Sequence, residues 1–131
     1  MVVDAAAVVD LICDLPPASA VAAELGAAAH VTAPAHLDAE VLSALGRQYR
    51  AGELHNPGER VDALADFPAS RWPLRPLLAP AWALTDQIAV RDALYVALAR
   101  SLGATLVTTD VRLGRAAAQL VPTAPADPPT R

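Results

Sequence analysis

This sequence has no lysine, one cysteine, few aromatic residues and an excess of negative charge. All ten cationic residues among its 131 positions are arginine, and the formal net charge is −4. Neutralising phosphates is normally the work of clustered Lys and Arg, so this balance excludes a protein that holds nucleic acid by bulk electrostatics. Any contact with nucleic acid must be local or helped by bound cations.

The missing residues also limit the chemistry and the compartment. A lone Cys13 excludes an internal disulfide and favours a reducing compartment. Without lysine, the chain lacks a residue that a phosphoacceptor receiver domain needs near its phosphoryl group. The alanine-rich stretch 20–29 is broken by Glu24 and Gly26 and is too short to span a bilayer, and the first residues show no secretory signal. We therefore expect a cytoplasmic protein without a membrane segment.

Apolar content is what the sequence has in plenty. Hydrophobic residues make up 54% of the chain and aromatic residues 4%, so the core must be built from Ala, Val and Leu. The length suits a single domain, which we place at residues 1–121. The Pro-rich tail 122–131 should be disordered beyond one short edge strand.

Short β-branched runs alternate with longer helix-compatible segments along this domain. Strands are predicted at 1–3, 31–33 and 104–108, with a further edge strand at 71–75 where Pro73 allows only an edge or a bulge. Helices are predicted at 5–15, 20–29, 35–49, 57–67, 80–89, 92–102 and 111–120. This alternation predicts an α/β three-layer sandwich, with a central, mostly parallel sheet flanked by helices.

Four acidic residues stand where predicted elements begin or end: Asp4, Glu40, Asp92 and Asp110. Asp4 and Asp110 follow strands, and ligands of parallel sheets lie outside the carboxyl ends of the strands. If those strands are neighbours, carboxylates about 4 Å apart repel by roughly 4 kcal/mol at an effective dielectric constant of about 20. A divalent cation removes that penalty, and oxygen ligands suit Mg²⁺ or Mn²⁺. The pattern therefore predicts a metal site that can activate water.

Three of these acids also have a simpler interpretation. Asp110 and Asp92 could be helix N-caps, and Glu40 could be a solvated helical acid, although it borders an apolar stripe. Asp10 and Asp14 are expected to face solvent. Trp72 and Trp82 are expected to be core or dimer contacts, and His36 to be a polar residue at a helix start that could also act near the site.

Four segments in order resemble the PIN-domain ribonucleases, and within them the VapC-type toxins of bacterial toxin-antitoxin pairs. Val2-Val3-Asp4-Ala5 is similar to the family's first strand and first catalytic Asp, and residues 33–45 are similar to its helix carrying the active-site Glu. Residues 91–99 resemble the segment with the third acid, and 103–110 resemble the last strand with its T-x-D motif. The resemblance covers residues 1–121.

This resemblance implies a parallel sheet and a Mg²⁺- or Mn²⁺-dependent endoribonuclease toxin that acts on structured RNA such as tRNA or rRNA. It also implies a homodimer and a cognate VapB-like antitoxin whose tail enters the active-site groove. By the same resemblance the catalytic metal ligands are Asp4, Glu40, Asp92 and Asp110, with Thr108 as a supporting hydroxyl. Arg112 and Arg115 are candidates to contact RNA or the antitoxin, or are solvated charges on the last helix.

Two departures from the family pattern bear on the expected chemistry. Ala6 stands where many relatives carry Ser or Thr, so one supporting hydrogen bond is missing. The same alanine excludes a haloacid-dehalogenase-type phosphatase, which needs a second Asp at that position. Val111 and Arg112 follow Asp110 where some relatives have a further acid, which favours one ion over two. The alternative is a catalytically inactive PIN-like module that only binds RNA or a partner.

Overall fold

A computed structural model describes residues 1–125 and contains one parallel sheet. Its strand order is β3-β2-β1-β4-β5, and every neighbouring pair is parallel. The strands are β1 (Val2–Val3), β2 (Thr32–Pro34), β3 (Ser70–Trp72), β4 (Leu106–Val107) and β5 (Thr123–Ala124). Helices flank this sheet, so the predicted three-layer α/β sandwich with a central parallel sheet is confirmed.

Helices connect the successive strands, because neighbouring parallel strands can be joined only by a crossover connection, which is usually an α-helix. They are α1 (Ala5–Ile12), α2 (Ala18–Gly26), α3 (Leu37–Arg50), α4 (Pro57–Ala65), α5 (Leu78–Trp82), α6 (Val90–Leu102) and α7 (Val111–Ala117), with a 3₁₀ turn at Arg75–Leu77 before α5. None of those in residues 1–125 is both long and apolar enough to cross a membrane.

The central strand β1 determines where the site lies. Val2 and Val3 are fully buried, and β1 pairs with β2 on one side and β4 on the other. Beyond its end, the Asp4 backbone N–H donates to the Val107 carbonyl at 3.1 Å. The residues that follow β1 and β4 are therefore neighbours, as the sequence argument requires.

Two helices supply much of the core. In α6 every residue from Ala93 to Ala99 is buried, and the helix packs against β1, β2, β4 and α5. In α3 the buried residues Leu37, Val41 and Leu45 repeat at intervals of four, which forms one apolar stripe facing α1 and α4. The acids that concern function lie at the borders of these buried faces.

The predicted helix at 80–89 is wrong over most of its length. Helix α5 ends at Trp82, and tight turns follow up to Ile88. The Thr85 hydroxyl donates to the Trp82 carbonyl at 2.6 Å, which is local side-chain bonding that competes with helix continuation. Helix α6 then begins at Val90 with extended Ala89 as its N-cap, so Asp92 lies within the first turn and does not cap it.

Three smaller differences concern the edges. The predicted edge strand at 71–75 is observed at Ser70–Trp72 and ends before Pro73. Strand β5 is the short edge strand allowed for in the tail, and the disorder predicted for the rest of 122–131 concerns mainly residues 126–131, outside the described part. Trp82 is 67% exposed and Trp72 36%, so neither belongs to the core.

Arg71 joins β3 to two helices. Its Nη2 lies 2.9 Å from Asp38 Oδ1 in α3, and the same nitrogen donates to the Leu64 carbonyl of α4 at 3.1 Å. Its Nη1 donates to the carbonyls of Phe67 and Ala69. One guanidinium thus satisfies a carboxylate and three carbonyls that would otherwise lack these donors.

We predict that Arg71→Met lowers the free energy of unfolding by about 2–3 kcal/mol, because hydrogen bonds that involve charged groups are worth about 1.5–3 kcal/mol each and partly buried carbonyls lose their donor. Urea unfolding of the purified protein measures this. Arg100→Met, at an exposed position in the last turn of α6, is the matched control and should cost less than about 1 kcal/mol. Equal losses for both variants would contradict the role assigned to Arg71.

Candidate functional site

A pocket of about 390 Å³ brings together the four acids that the sequence predicts as a site: Asp4, Glu40, Asp92 and Asp110. They come from the end of β1, the first turn of α3, the first turn of α6 and the start of α7. The pocket wall also includes Arg47, Gln48 and Arg91. Residues far apart in the chain therefore share one polar cavity.

Asp4 is the most buried of the four acids, with 3% of its surface exposed. As the N-cap of α1, its Oδ1 accepts a hydrogen bond from the Ala7 N–H at 2.9 Å. Its Oδ2 accepts from the Thr108 hydroxyl, whose oxygen in turn accepts from the Asp110 N–H at 3.0 Å. Thr108 therefore connects the two acids that follow β1 and β4.

Burial sets the electrostatics of this carboxyl. Desolvation raises the pKa of Asp4 from 3.8 to about 7, although the hydrogen bonds from Thr108 and Ala7 oppose the shift and the charges of Asp110 and Asp92 add to it. Desolvation also raises the pKa of Asp92, with repulsion from Asp110 and Glu40 as further causes. The charges of neighbouring acids thus contribute to the raised pKa values of Asp4 and Asp92.

Asp110 combines the two interpretations that the sequence left open. It is the N-cap of α7, where its Oδ1 accepts from the backbone N–H of Arg112 at 2.9 Å and of Leu113 at 3.2 Å. It also lines the pocket. Capping one oxygen leaves the other available, so the cap does not argue against a site role.

Glu40 is held by side chains from two directions. Its Oε1 accepts from the Tyr95 hydroxyl at 2.7 Å and lies 3.4 Å from His36 Nε2. Its Oε2 lies 3.8 Å from Arg91 Nε, and that arginine side chain is 82% exposed, which makes the pair weak. Burial, followed by the bond to Glu40, raises the pKa of Tyr95 far above its usual range, so the hydroxyl stays a donor.

The structure also places the other residues that the sequence analysis named. Arg112 and Arg115 are exposed on α7 and are not among the residues that line this pocket. Asp10, expected to face solvent, is half-buried on the pocket wall, whereas Asp14 is exposed as expected. Ala6 also lines the pocket, so this position offers no hydroxyl to the site.

Sequence reasoning did not single out Arg47 or Tyr95. Arg47 follows Glu40 by seven residues, two turns along the same helix face, so its place on the pocket wall was available from helical spacing. Tyr95 follows Asp92 by three residues and points back to Glu40. The contact between Tyr95 and Glu40 could not be predicted from residue spacing, because it joins two helices and the residues are 55 positions apart in sequence.

The donor set fits a hard divalent cation. Every acid offers carboxylate oxygen. Burial, and after it repulsion from the other acids, raises the pKa values of Asp4 and Asp92, and a bound cation would relieve that repulsion. In residues 1–125, no three or more His, Cys, Asp or Glu side chains are already gathered as one ligand cluster. Mg²⁺ commonly uses one or two carboxylates and keeps several waters, so a fully gathered cluster is not required.

Comparison with known proteins agrees with this arrangement. The PIN domain family matches residues 1–119. Ribonuclease VapC3 of Mycobacterium tuberculosis is 49% identical over 119 residues, which cover 88% of this chain and 86% of that protein. Ribonuclease VapC12 of the same organism is 40% identical over 119 residues, covering 88% and 90%, and Ribonuclease VapC1 is 40% identical over 118 residues, covering 88% and 89%. The chain belongs to the PIN-domain family and, within it, to the VapC-type branch.

Proposed function

We propose that this chain is a toxin that hydrolyses phosphodiester bonds within structured RNA, such as tRNA or rRNA, with the help of Mg²⁺ or Mn²⁺. One observation carries the proposal: carboxylates from four distant parts of the chain line one pocket. The similar proteins of Mycobacterium tuberculosis are named ribonucleases, which supports the reaction class. A buried Asp among other acids is costly to maintain unless it serves such a site.

The residues divide the work according to their contacts. Asp4, Glu40, Asp92 and Asp110 are the proposed holders of the ion, with Thr108 orienting Asp4 through its hydroxyl. A bound divalent ion supplies positive charge that polarises the phosphoryl oxygens and acidifies water. Glu40 and Asp92 are the proposed acceptors of the water's proton, since backbone N–H groups already bind Asp4 and Asp110.

Positive charge near the acids is sparse, which limits how the RNA is held. Arg47 and Arg91 line the pocket and are the proposed contacts for phosphates on either side of the scissile bond. Arg112 and Arg115 stay predicted contacts for RNA or the antitoxin, exposed on α7. With a net charge of −4, recognition would depend on RNA shape and these few contacts.

We further propose that the protein acts in the cytoplasm as a homodimer that a VapB-like antitoxin neutralises, with the antitoxin's tail in the active-site pocket. The family resemblance supports the antitoxin. Exposed apolar side chains support the dimer: Leu78 is 56% and Trp82 67% exposed, one turn apart on the same face of α5. A second copy of the chain would cover them.

Asp4→Asn and Asp110→Asn should each reduce RNA cleavage at least about a hundredfold, because even changes outside the direct ligands of a metal site cost about 10–100-fold. Cleavage of a tRNA mixture in Mg²⁺ or Mn²⁺, followed on denaturing gels, measures this. Asp86→Asn, exposed and outside the pocket, is the matched control. Cleavage that persists in EDTA would contradict metal dependence, and a folded wild type that cuts no RNA would favour the inactive binding module.

The raised pKa of Asp4 predicts how stability depends on pH. The folded protein binds this proton more tightly than the unfolded chain, so the contribution of Asp4 is most favourable below pH 3.8 and is lost as pH rises to about 7. The loss amounts to about 4 kcal/mol in the absence of a cation. The difference in the free energy of unfolding between the wild type and Asp4→Asn, measured by urea unfolding from pH 3.8 to about pH 7, should show this loss.

Added Mg²⁺ should reduce that loss, since a cation favours the charged carboxylate. We expect the Mg²⁺-induced rise in melting temperature to be larger at pH 8 than at pH 5 for the wild type, and to be small at both for Asp4→Asn. Melting curves with Mg²⁺ or EDTA measure it. An equal response of the two proteins at pH 8 would rule out Asp4 as a ligand.

Trp82→Arg should convert the dimer to a monomer, because it places a charge in the proposed apolar contact. Light scattering after size exclusion gives the molar mass. Leu102→Arg, at the exposed end of α6, is the control and should remain dimeric. A wild type that is monomeric at every concentration tested would refute the dimer.

A further inference from the structure

The two carboxylate oxygens of Glu40 have different surroundings. Oε1 accepts from the Tyr95 hydroxyl at 2.7 Å and has His36 Nε2 at 3.4 Å. Oε2 has only the weak approach of Arg91 Nε at 3.8 Å from a largely exposed side chain. The protein therefore occupies one oxygen of this acid and leaves the other to the pocket.

The surroundings of His36 determine which of its nitrogens carries the proton. Nε2 lies 2.9 Å from the Arg91 carbonyl oxygen, and a carbonyl can only accept, so this nitrogen is the donor. Nδ1 is buried and makes no hydrogen bond within residues 1–125. The N–H at Nε2 is directed at the Arg91 carbonyl, and the same nitrogen approaches Glu40 Oε1 at 3.4 Å without a hydrogen bond.

Tyr95 supplies the rigid side of this arrangement. It is one of the largest fully buried side chains, and its ring packs on that of His36 with centroids 4.7 Å apart and planes inclined by 38°. Tyr95 lies in α6 one turn after Asp92, while His36 immediately precedes α3. The two rings therefore join the helix starts that carry Glu40 and Asp92.

We propose that Tyr95, which donates to Oε1 of Glu40, and His36, which packs on Tyr95 and approaches Oε1, are positioning residues for Glu40, so that Oε2 would be the oxygen that faces a bound cation or its water. The inference rests on the proposed metal-dependent reaction and deepens it. The hydrogen bond from Tyr95 to Oε1 disfavours bidentate binding of a cation by both oxygens. Single-oxygen contact suits Mg²⁺, which keeps near-octahedral geometry and several waters.

Asp110 follows the same design by different means. Its Oδ1 accepts two backbone N–H groups at the start of α7. A helix N-terminus does for Asp110 what two aromatic side chains do for Glu40. Glu40 needs them because it lies in the body of the first turn of α3 and not at the cap position, which His36 occupies.

A buried tyrosine needs an acceptor for its hydroxyl, and Glu40 could serve only that need. The two interpretations differ in what happens once Glu40 is removed. If Tyr95 acts through Glu40, its hydroxyl matters for metal binding only while the carboxylate is present. A double-mutant cycle measures this dependence directly.

The experiment measures Mn²⁺ affinity by calorimetry, and kcat and KM for RNA cleavage, in Tyr95→Phe, Glu40→Ala and the double variant. Tyr95→Phe should weaken Mn²⁺ binding about tenfold and lower kcat with little change in KM. In the Glu40→Ala background the same substitution should have no further effect on Mn²⁺ affinity. Tyr49→Phe, exposed on α3 and away from the pocket, is the matched control and should match the wild type.

His36 provides an independent arm with a conservative rescue. His36→Ala should weaken Mn²⁺ binding about as much as Tyr95→Phe, since it removes the ring that packs on Tyr95 beside Oε1. His36→Gln should restore binding to within about threefold of the wild type, because a glutamine amide offers two N–H donors for the Arg91 carbonyl and Oε1. Melting temperatures without metal identify any variant that fails to fold.

The outcomes separate this inference from the function on which it rests. A wild type that neither binds Mn²⁺ nor cuts RNA would overturn both. A wild type that binds Mn²⁺, with affinity unchanged in Tyr95→Phe and His36→Ala, would overturn the positioning role alone. So would a Tyr95→Phe effect that persists undiminished without Glu40.

Discussion

A buried carboxylate at the end of the central strand is the constraint on which the site depends. Asp4 directly follows β1, where its backbone bonds to β4 and its side chain bonds to Ala7 and Thr108. These contacts leave it almost no freedom to move toward water. The other three acids, Glu40, Asp92 and Asp110, therefore have to lie near Asp4, and the flanking helices place them there. The sheet thus sets one fixed point, and α3, α6 and α7 are arranged around it.

Around that point, protein donors bind both oxygens of Asp4 and one oxygen each of Glu40 and Asp110. Backbone N–H groups bind Asp4 and Asp110, a hydroxyl binds Asp4, and two aromatic residues hold Glu40. Such contacts define the direction of each remaining lone pair before any ligand arrives. Preorganised carboxylates need less rearrangement when charge develops during a reaction, which is where electrostatic catalysis gains most.

Much of the fold could be predicted from the sequence because its signals are local. The β-branched runs predicted the strands at 1–3, 31–33 and 104–108, and prolines and glycines marked most helix ends. The helix predicted at 80–89 was wrong because alanine and leucine favour a helix there, whereas Thr85 closes a turn onto Trp82 and a separate helix begins after extended Ala89. Side-chain competition of this kind is settled by tertiary packing, which spacing does not reveal.

The candidate site was likewise predictable from the sequence only in part. Strand ends and the family motifs predicted Asp4, Glu40, Asp92 and Asp110, and the structure places all four in one pocket. Their catalytic and metal-binding roles stay predictions. The contact of Tyr95 with Glu40 was beyond reach, because it joins α3 to α6 through side-chain directions and not through any repeat. The approach of His36 to Glu40 spans four residues, the spacing that suggested a role for His36 near the site. Exposure of Trp72 and Trp82 was equally hidden, since composition alone makes tryptophan look like core.

The contacts of Arg71 also affect how α3 is rotated about its own axis. Asp38 and Glu40 are two positions apart, so they project roughly 200° from each other around the axis. Arg71 grips the first from the side of β3 and α4, while Tyr95 and His36 grip the second from the side of α6. The helix is therefore clamped against rolling by opposed contacts. A substitution of Arg71, in the edge strand of the sheet, can therefore let α3 rotate and shift Glu40, although Arg71 does not line the pocket.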